Sequence, residues 1–92
     1  MREIEIQLTG STEAIWQTIE QMCLDEGLTL TLKGTLARYP GCIHWHFKHG
    51  KLPGTLELTF WEKRLWFKIS AGREGVWMDA LVEKLKAQME RG

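Results

Sequence analysis

The apolar residues of this chain change period along its length, and that change limits the possible folds more than any other feature. Residues 2–8 (Arg-Glu-Ile-Glu-Ile-Gln-Leu) alternate, with Ile4, Ile6 and Leu8 on one face, as in a half-buried strand. From Thr12 the period becomes helical, and Ile15, Ile19, Met22 and Cys23 form one stripe with Glu20 and Gln21 off it. Thr9-Gly10-Ser11 marks the change. Ser11 suits the N-cap, Glu13 the positive end of the helix dipole, and Gly27 the residue just past the C-terminus.

From Leu28 the period is two again. Leu28, Leu30, Leu32, Gly34 and Leu36 share one face, and Thr29, Thr31, Lys33, Thr35 and Ala37 the other. Tyr39-Pro40-Gly41-Cys42 has the composition of a turn. A two-residue loop there predicts the pairs Leu36–Trp45, Gly34–Phe47, Thr35–His46 and Lys33–Lys48, which puts the apolar residues of both strands on one face. Residues 49–54 read as a loop into a strand over 55–61, with Leu56, Leu58 and Phe60 inward. Residues 62–65 then form a tight turn into 66–70, pairing Trp61 with Trp66, Phe60 with Phe67 and Leu58 with Ile69. Gly72-Arg73-Glu74-Gly75 reads as punctuation before a second helix, from about Glu74 to Glu90. Its stripe is Trp77, Leu81, Leu85 and Met89, with Met78 and Val82 beside it and Lys84, Lys86 and Arg91 towards the C-terminus.

The order is therefore β-α-β-β-β-β-α. Each strand has one apolar face and each helix one apolar stripe, so both helices are expected on one side of a mostly antiparallel five-stranded sheet. That is an α+β two-layer sandwich. The first strand pairs at an edge or inserts centrally. Ninety-two residues suit a single domain over 1–92, and 43% hydrophobic with 26% charged residues is too apolar for disorder. No apolar run approaches the ~20 residues that span a bilayer, and residues 1–8 lack the apolar core of a signal peptide, so a cytoplasmic protein is expected. Cys23 faces the core and Cys42 the open side of the sheet, so both are expected as free thiols.

The second sheet face has no helix to cover it, and the expected registers lay it out as a grid. One row is Trp66, Trp61, Cys42, Tyr39; the next Lys68, Thr59, His44, Ala37; then Ser70, Glu57, His46, Thr35; and last Thr55, Lys48, Lys33. Formal charge is zero overall but segregated. Residues 1–27 hold one base and six acids (net −5), residues 28–73 eight bases and two acids (net +6), and residues 74–92 three against four (net −1).

Three readings follow from that face. Tyr39, Trp61 and Trp66 with His44, His46, Lys33, Lys48 and Lys68 form a candidate docking surface for a second copy or a protein partner, because large rings on an open sheet mark interfaces. His44, His46 and Glu57 form a candidate divalent-metal site, two imidazoles and a carboxylate with positions left open, and His49 in the loop could join them. No other cofactor is called for. Aromatics interleaved with lysines also suit single-stranded nucleic acid, but a net charge of zero weighs against tight phosphate tracking. A Cys42–His44 thiol–imidazole pair is conceivable, yet nothing in the sequence supplies an oxyanion hole, so no catalytic residue is assigned and an enzyme is not the leading reading. The expectation is a small binding module acting through the open face, with the metal site as the alternative from another class.

Overall fold

Five strands pair side by side in one sheet: β1 (Arg2–Ile6), β2 (Thr29–Leu36), β3 (Tyr39–Lys48), β4 (Leu56–Trp61) and β5 (Arg64–Ile69). Their spatial order is β1-β5-β4-β3-β2, and every neighbouring pair is antiparallel. The first strand is thus an edge strand. Helix α1 (Ile15–Asp25) lies between β1 and β2 in the chain, and α2 (Met78–Glu90) follows β5. The structure is a computed structural model that describes residues 2–8, 15–70, 72 and 74–90. The expected N-cap Ser11, helix start at Thr12, Glu13 and Arg91 lie outside the described residues. Among the described residues no helix is long and apolar enough to cross a membrane.

The core confirms the two-layer sandwich. Trp45, Phe47, Leu56, Leu58, Leu65, Phe67 and Ile69 from the sheet are packed with Ile19 and Cys23 of α1 and Met78, Val82, Leu85 and Met89 of α2. Each such apolar side chain removed from water contributes about 1.5–3 kcal/mol. The α2 stripe is rotated slightly from the expected one, since Trp77 and Leu81 are only half-buried at its flank. The helix also starts at Met78 rather than near Glu74. The preceding turn is docked instead: the Trp77 indole N–H donates to Pro53 O at 2.8 Å. A Cβ on Gly75 would sit 2.3 Å from that same carbonyl, so only glycine lets the turn approach it.

Helix α1 ends as its sequence indicates. Gly27 has φ +86°, Leu28 N–H donates to Cys23 O at 3.2 Å and Gly27 N–H to Leu24 O at 3.0 Å. These two bonds make a Schellman cap, and Leu28 is buried beyond it.

Two hairpins depart from the expected registers. Between β2 and β3 the chain turns at Ala37-Arg38, and Leu36 faces Tyr39. The Pro40-Gly41 pair lies inside β3. Between the pairs Leu36–Tyr39 and Gly34–His44, β2 has Thr35 alone while β3 has Pro40, Gly41, Cys42 and Ile43. The extra residues bulge, with Gly41 at φ +82°, and the loop buries Cys42, whose Sγ accepts from Leu36 N–H at 3.2 Å. A second bulge sits at Thr31, the unpaired residue between Leu30–Phe47 and Leu32–His46, where its hydroxyl donates to His46 O at 3.1 Å. One extra residue reverses side-chain parity. Beyond Thr31 the expected faces are therefore exchanged. Lys33 pairs with Trp45 rather than Lys48 and turns to the helix side, where its Nζ lies 2.8 Å from Glu20 and 4.3 Å from the Trp16 ring centre. Leu32 points the other way and is 47% exposed.

The β4–β5 hairpin closes in two residues, Glu62 and Lys63, with φ 49° and 68°. Neither is glycine, and each left-handed residue costs about 1–2 kcal/mol. Closing here lets Arg64 and Leu65 join β5 and buries Leu65 completely, which offsets much of that cost. The resulting pairs are Trp61–Arg64, Thr59–Trp66 and Glu57–Lys68. The register differs from expectation by two residues, so each side chain stays on its expected face.

Candidate functional site

The open face is not a wet lawn of polar groups. His44, Glu57 and Thr59 are 4%, 6% and 1% exposed, although the described helices pack on the opposite face of the sheet. Neighbouring strands bring them together: His44 lies opposite Thr59 and His46 opposite Glu57 across β3 and β4. The two histidines are at i and i+2, so they leave β3 on the same side. The expected 46–57 and 44–59 neighbours are both present.

Three donor atoms converge. His44 Nε2 and His46 Nε2 are 3.0 Å apart, and Glu57 Oε1 is 3.3 Å from the first and 3.5 Å from the second. Metal–donor bonds of about 2.0–2.2 Å at tetrahedral angles put donor atoms about 3.3–3.5 Å apart. A point about 2.05 Å from all three atoms lies about 0.8 Å out of their plane, close to the ~0.7 Å of an ideal tetrahedral site. The triangle is one face of such a site.

Hydrogen bonds behind the donors fix their orientation. His44 Nδ1 is 2.8 Å from Thr59 Oγ1. Assigning the Nδ1 proton to this bond leaves the Nε2 lone pair facing His46 and Glu57. Glu57 Oε2 accepts from the Ser70 hydroxyl at 2.9 Å, which turns Oε1 inward. Such outer partners are what hold metal ligands in register. Burial depresses the His44 pKa, the nearby His46 adds to this, the Glu57 carboxylate opposes it, and Lys68 lowers it further. The imidazole is therefore held neutral, the form that binds metals. Lys68 faces Glu57 from β5 and is half-buried.

The aromatic residues gather at one end of the same face. Tyr39 is the ring that touches both tryptophans, with ring centres 4.9 Å from Trp61 and 5.2 Å from Trp66. The expected direct Trp61–Trp66 pair is replaced by Trp61–Arg64 and Thr59–Trp66. Trp66 is buried, and the Trp61 indole N–H donates to Pro40 O at 2.9 Å. Beside them Glu3, Glu5, Tyr39, Arg64 and Trp66 line a shallow pocket of about 230 Å³, in which Arg64 pairs with Glu5 at 2.8 Å. Of the lysines expected on this face, Lys48 and Lys68 leave the sheet on that side and Lys33 does not. His49 lies away from the donor triangle, its ring 5.6 Å from that of Trp77. His44 is engaged by Thr59 and His46, and the Cys42 thiol by Leu36, so the thiol–imidazole pair is not formed. Cys23 and Cys42 are both free.

Thr59 and Ser70 are the residues that sequence reasoning did not single out. The signal was present in their position on the polar face, next to His44 and Glu57, but a hydroxyl in an alternating strand carries no mark of its partner. Comparisons with protein-family models, with curated proteins and with solved structures give no match.

Proposed function

We propose that this chain is a small metal-binding module that holds one divalent ion of the zinc type at His44, His46 and Glu57. The observation that carries the reading is the convergence of three donor atoms at 3.0–3.5 Å, two of them backed by buried or half-buried hydroxyls. Without a metal, a proton on His46 Nε2 bridges to His44 Nε2; a divalent cation takes the place of that proton and gains the Glu57 carboxylate as its third donor. Two imidazoles and one carboxylate suit zinc and its neighbours in the first transition row, and are too poor in oxygen for calcium or magnesium. Three protein ligands leave a fourth position for water or a small ligand, the arrangement of a reactive site rather than a closed structural one.

Native mass spectrometry of protein stripped of metal and then given one equivalent of zinc tests this. The expected result is one zinc per chain, lost in a His44→Ala, His46→Ala double variant. Stoichiometric zinc in that variant would sink the proposal. The same spectra weigh the assembly, which bears on the docking reading of this face. Leu32, turned outward beside His46 by the Thr31 bulge, is the observation that favours it. A metal-independent dimer in the same spectra would move that reading to the front.

A further inference from the structure

We propose that the open coordination position takes an oxyanion, a carboxylate or phosphate oxygen, with the Lys68 ammonium as its counter-charge. The inference rests on the metal reading above and concerns what that site recognises.

The charge count around the triangle leads to it. A divalent ion held by one carboxylate and two neutral imidazoles keeps one positive charge. Lys68 leaves the sheet on the same side, directly opposite Glu57 in the β4–β5 pair and Glu3 in the β1–β5 pair; the Glu3 carboxylate answers its charge, so the one positive charge on the ion stays in excess. Lys68 is half-buried and makes no direct ion pair among the described residues. Excess positive charge in a partly desolvated place is costly, and an anion at the fourth vertex is the direct way to relieve it. Access exists as well. Gly34 is the residue opposite His44 on β2, and a Cβ built there would meet nothing within 4 Å. The His46 side chain, 20% exposed, borders the same side. An oxyanion thus reaches the ion past Gly34 and His46, replaces a metal-bound water, and places a second oxygen towards Lys68. One water leaves for each anion bound, with no change of oxidation state.

Cobalt(II), whose visible absorption reports its ligands, gives the experiment. The wild-type protein is loaded with one equivalent and titrated separately with inorganic phosphate and with acetate, and Lys68→Met is treated in the same way. The expected result is a saturable shift of the cobalt bands by at least one of the two anions. Their relative strength tells phosphate from carboxylate recognition. In Lys68→Met the anion binds about tenfold more weakly while cobalt itself binds more tightly, because a like charge has gone. Cobalt bands that ignore both anions, or an anion affinity unchanged in Lys68→Met, would overturn the inference and leave the metal site standing. Failure of the wild type to bind cobalt, or retention of cobalt by the His44→Ala, His46→Ala variant, would overturn both.

Discussion

Replacing Thr59 by Val separates the part Thr59 plays in the fold from its part at the site. Valine keeps the shape and the strand preference and removes only the hydroxyl, which lies 2.8 Å from His44 Nδ1 at a position 1% exposed. Without metal, the variant leaves a buried imidazole nitrogen without its partner, a loss of about 1–3 kcal/mol. For a domain of this size each kcal/mol lowers Tm by about 4–8 °C. With metal, the His44 ring is no longer held in the tautomer and orientation that aim Nε2 at Glu57. Loss of such an outer hydrogen bond weakens metal binding about 10–100-fold, or about 1.4–2.7 kcal/mol. The two quantities are read independently, the first by thermal melting of metal-free protein and the second by zinc competition against a chromophoric chelator. Thr59→Ser restores the hydroxyl and is expected to recover zinc affinity, though not all of the stability, since it removes a buried methyl group. Zinc affinity unchanged in Thr59→Val would refute the argument that this hydroxyl orients the site, whatever the melting curves show.

Two further predictions concern the framework. The Trp45 ring is fully buried and its indole N–H donates to Glu20 Oε1 at 2.9 Å, so Glu20→Ala is expected to cost about 1–3 kcal/mol and Glu20→Gln less, as read by urea unfolding. The Lys33 ammonium beside Glu20 holds its carboxyl below the usual range, so what the pair contributes is present above the ordinary carboxyl pKa and lost as pH falls through the lowered one; equal acid sensitivity of wild type and Glu20→Gln would contradict this. Burial, with a smaller push from Glu20, raises the Cys23 thiol from 9.0 to about 12. Below pH ~9 both folded and unfolded chains keep this proton; above it the unfolded chain sheds it first, so stability falls by up to about 1.4 kcal/mol per pH unit towards pH 12. In Cys23→Ala that component of the alkaline loss disappears, and in the wild type iodoacetamide at pH 8 leaves Cys23 unmodified until the protein unfolds. Rapid native-state modification of Cys23 would count against its burial.

Much of the fold was legible because it is written in period and parity. Ile19 and Cys23 of α1, Leu56 and Leu58 of β4 and Leu85 and Met89 of α2 are in the core where their spacing put them. The Schellman cap follows from Gly27. The histidine–glutamate cluster was legible for the same reason, since two histidines at i and i+2 must share a face. The six-residue loop after Lys48 was enough to carry the count across to Glu57. An error of two residues at the Glu62-Lys63 turn did no harm to faces, because a shift of two preserves parity. It did misplace partners, exchanging a Trp61–Trp66 pair for the contact of Tyr39 with both rings.

The sequence by itself determined the element order, the class of fold, the side on which residues 44–48, 56–61 and 66–69 stand, and hence the candidate ligands. Tertiary structure alone decided the two bulges, one in β2 at Thr31 and one in β3 over residues 40–43, the edge position of β1, and the burial of the sheet face opposite the described helices. The physical reason is that periodicity is local, fixed by neighbours one to four positions away. A bulge is chosen by the whole sheet. The extra residue at Thr31 exchanges the faces beyond it, which turns Lys33 to Glu20 and Leu32 to solvent, and no residue type near Thr31 announces that exchange. In the same way, Thr59 and Ser70 became partners of His44 and Glu57 only when strands far apart in the chain were laid side by side.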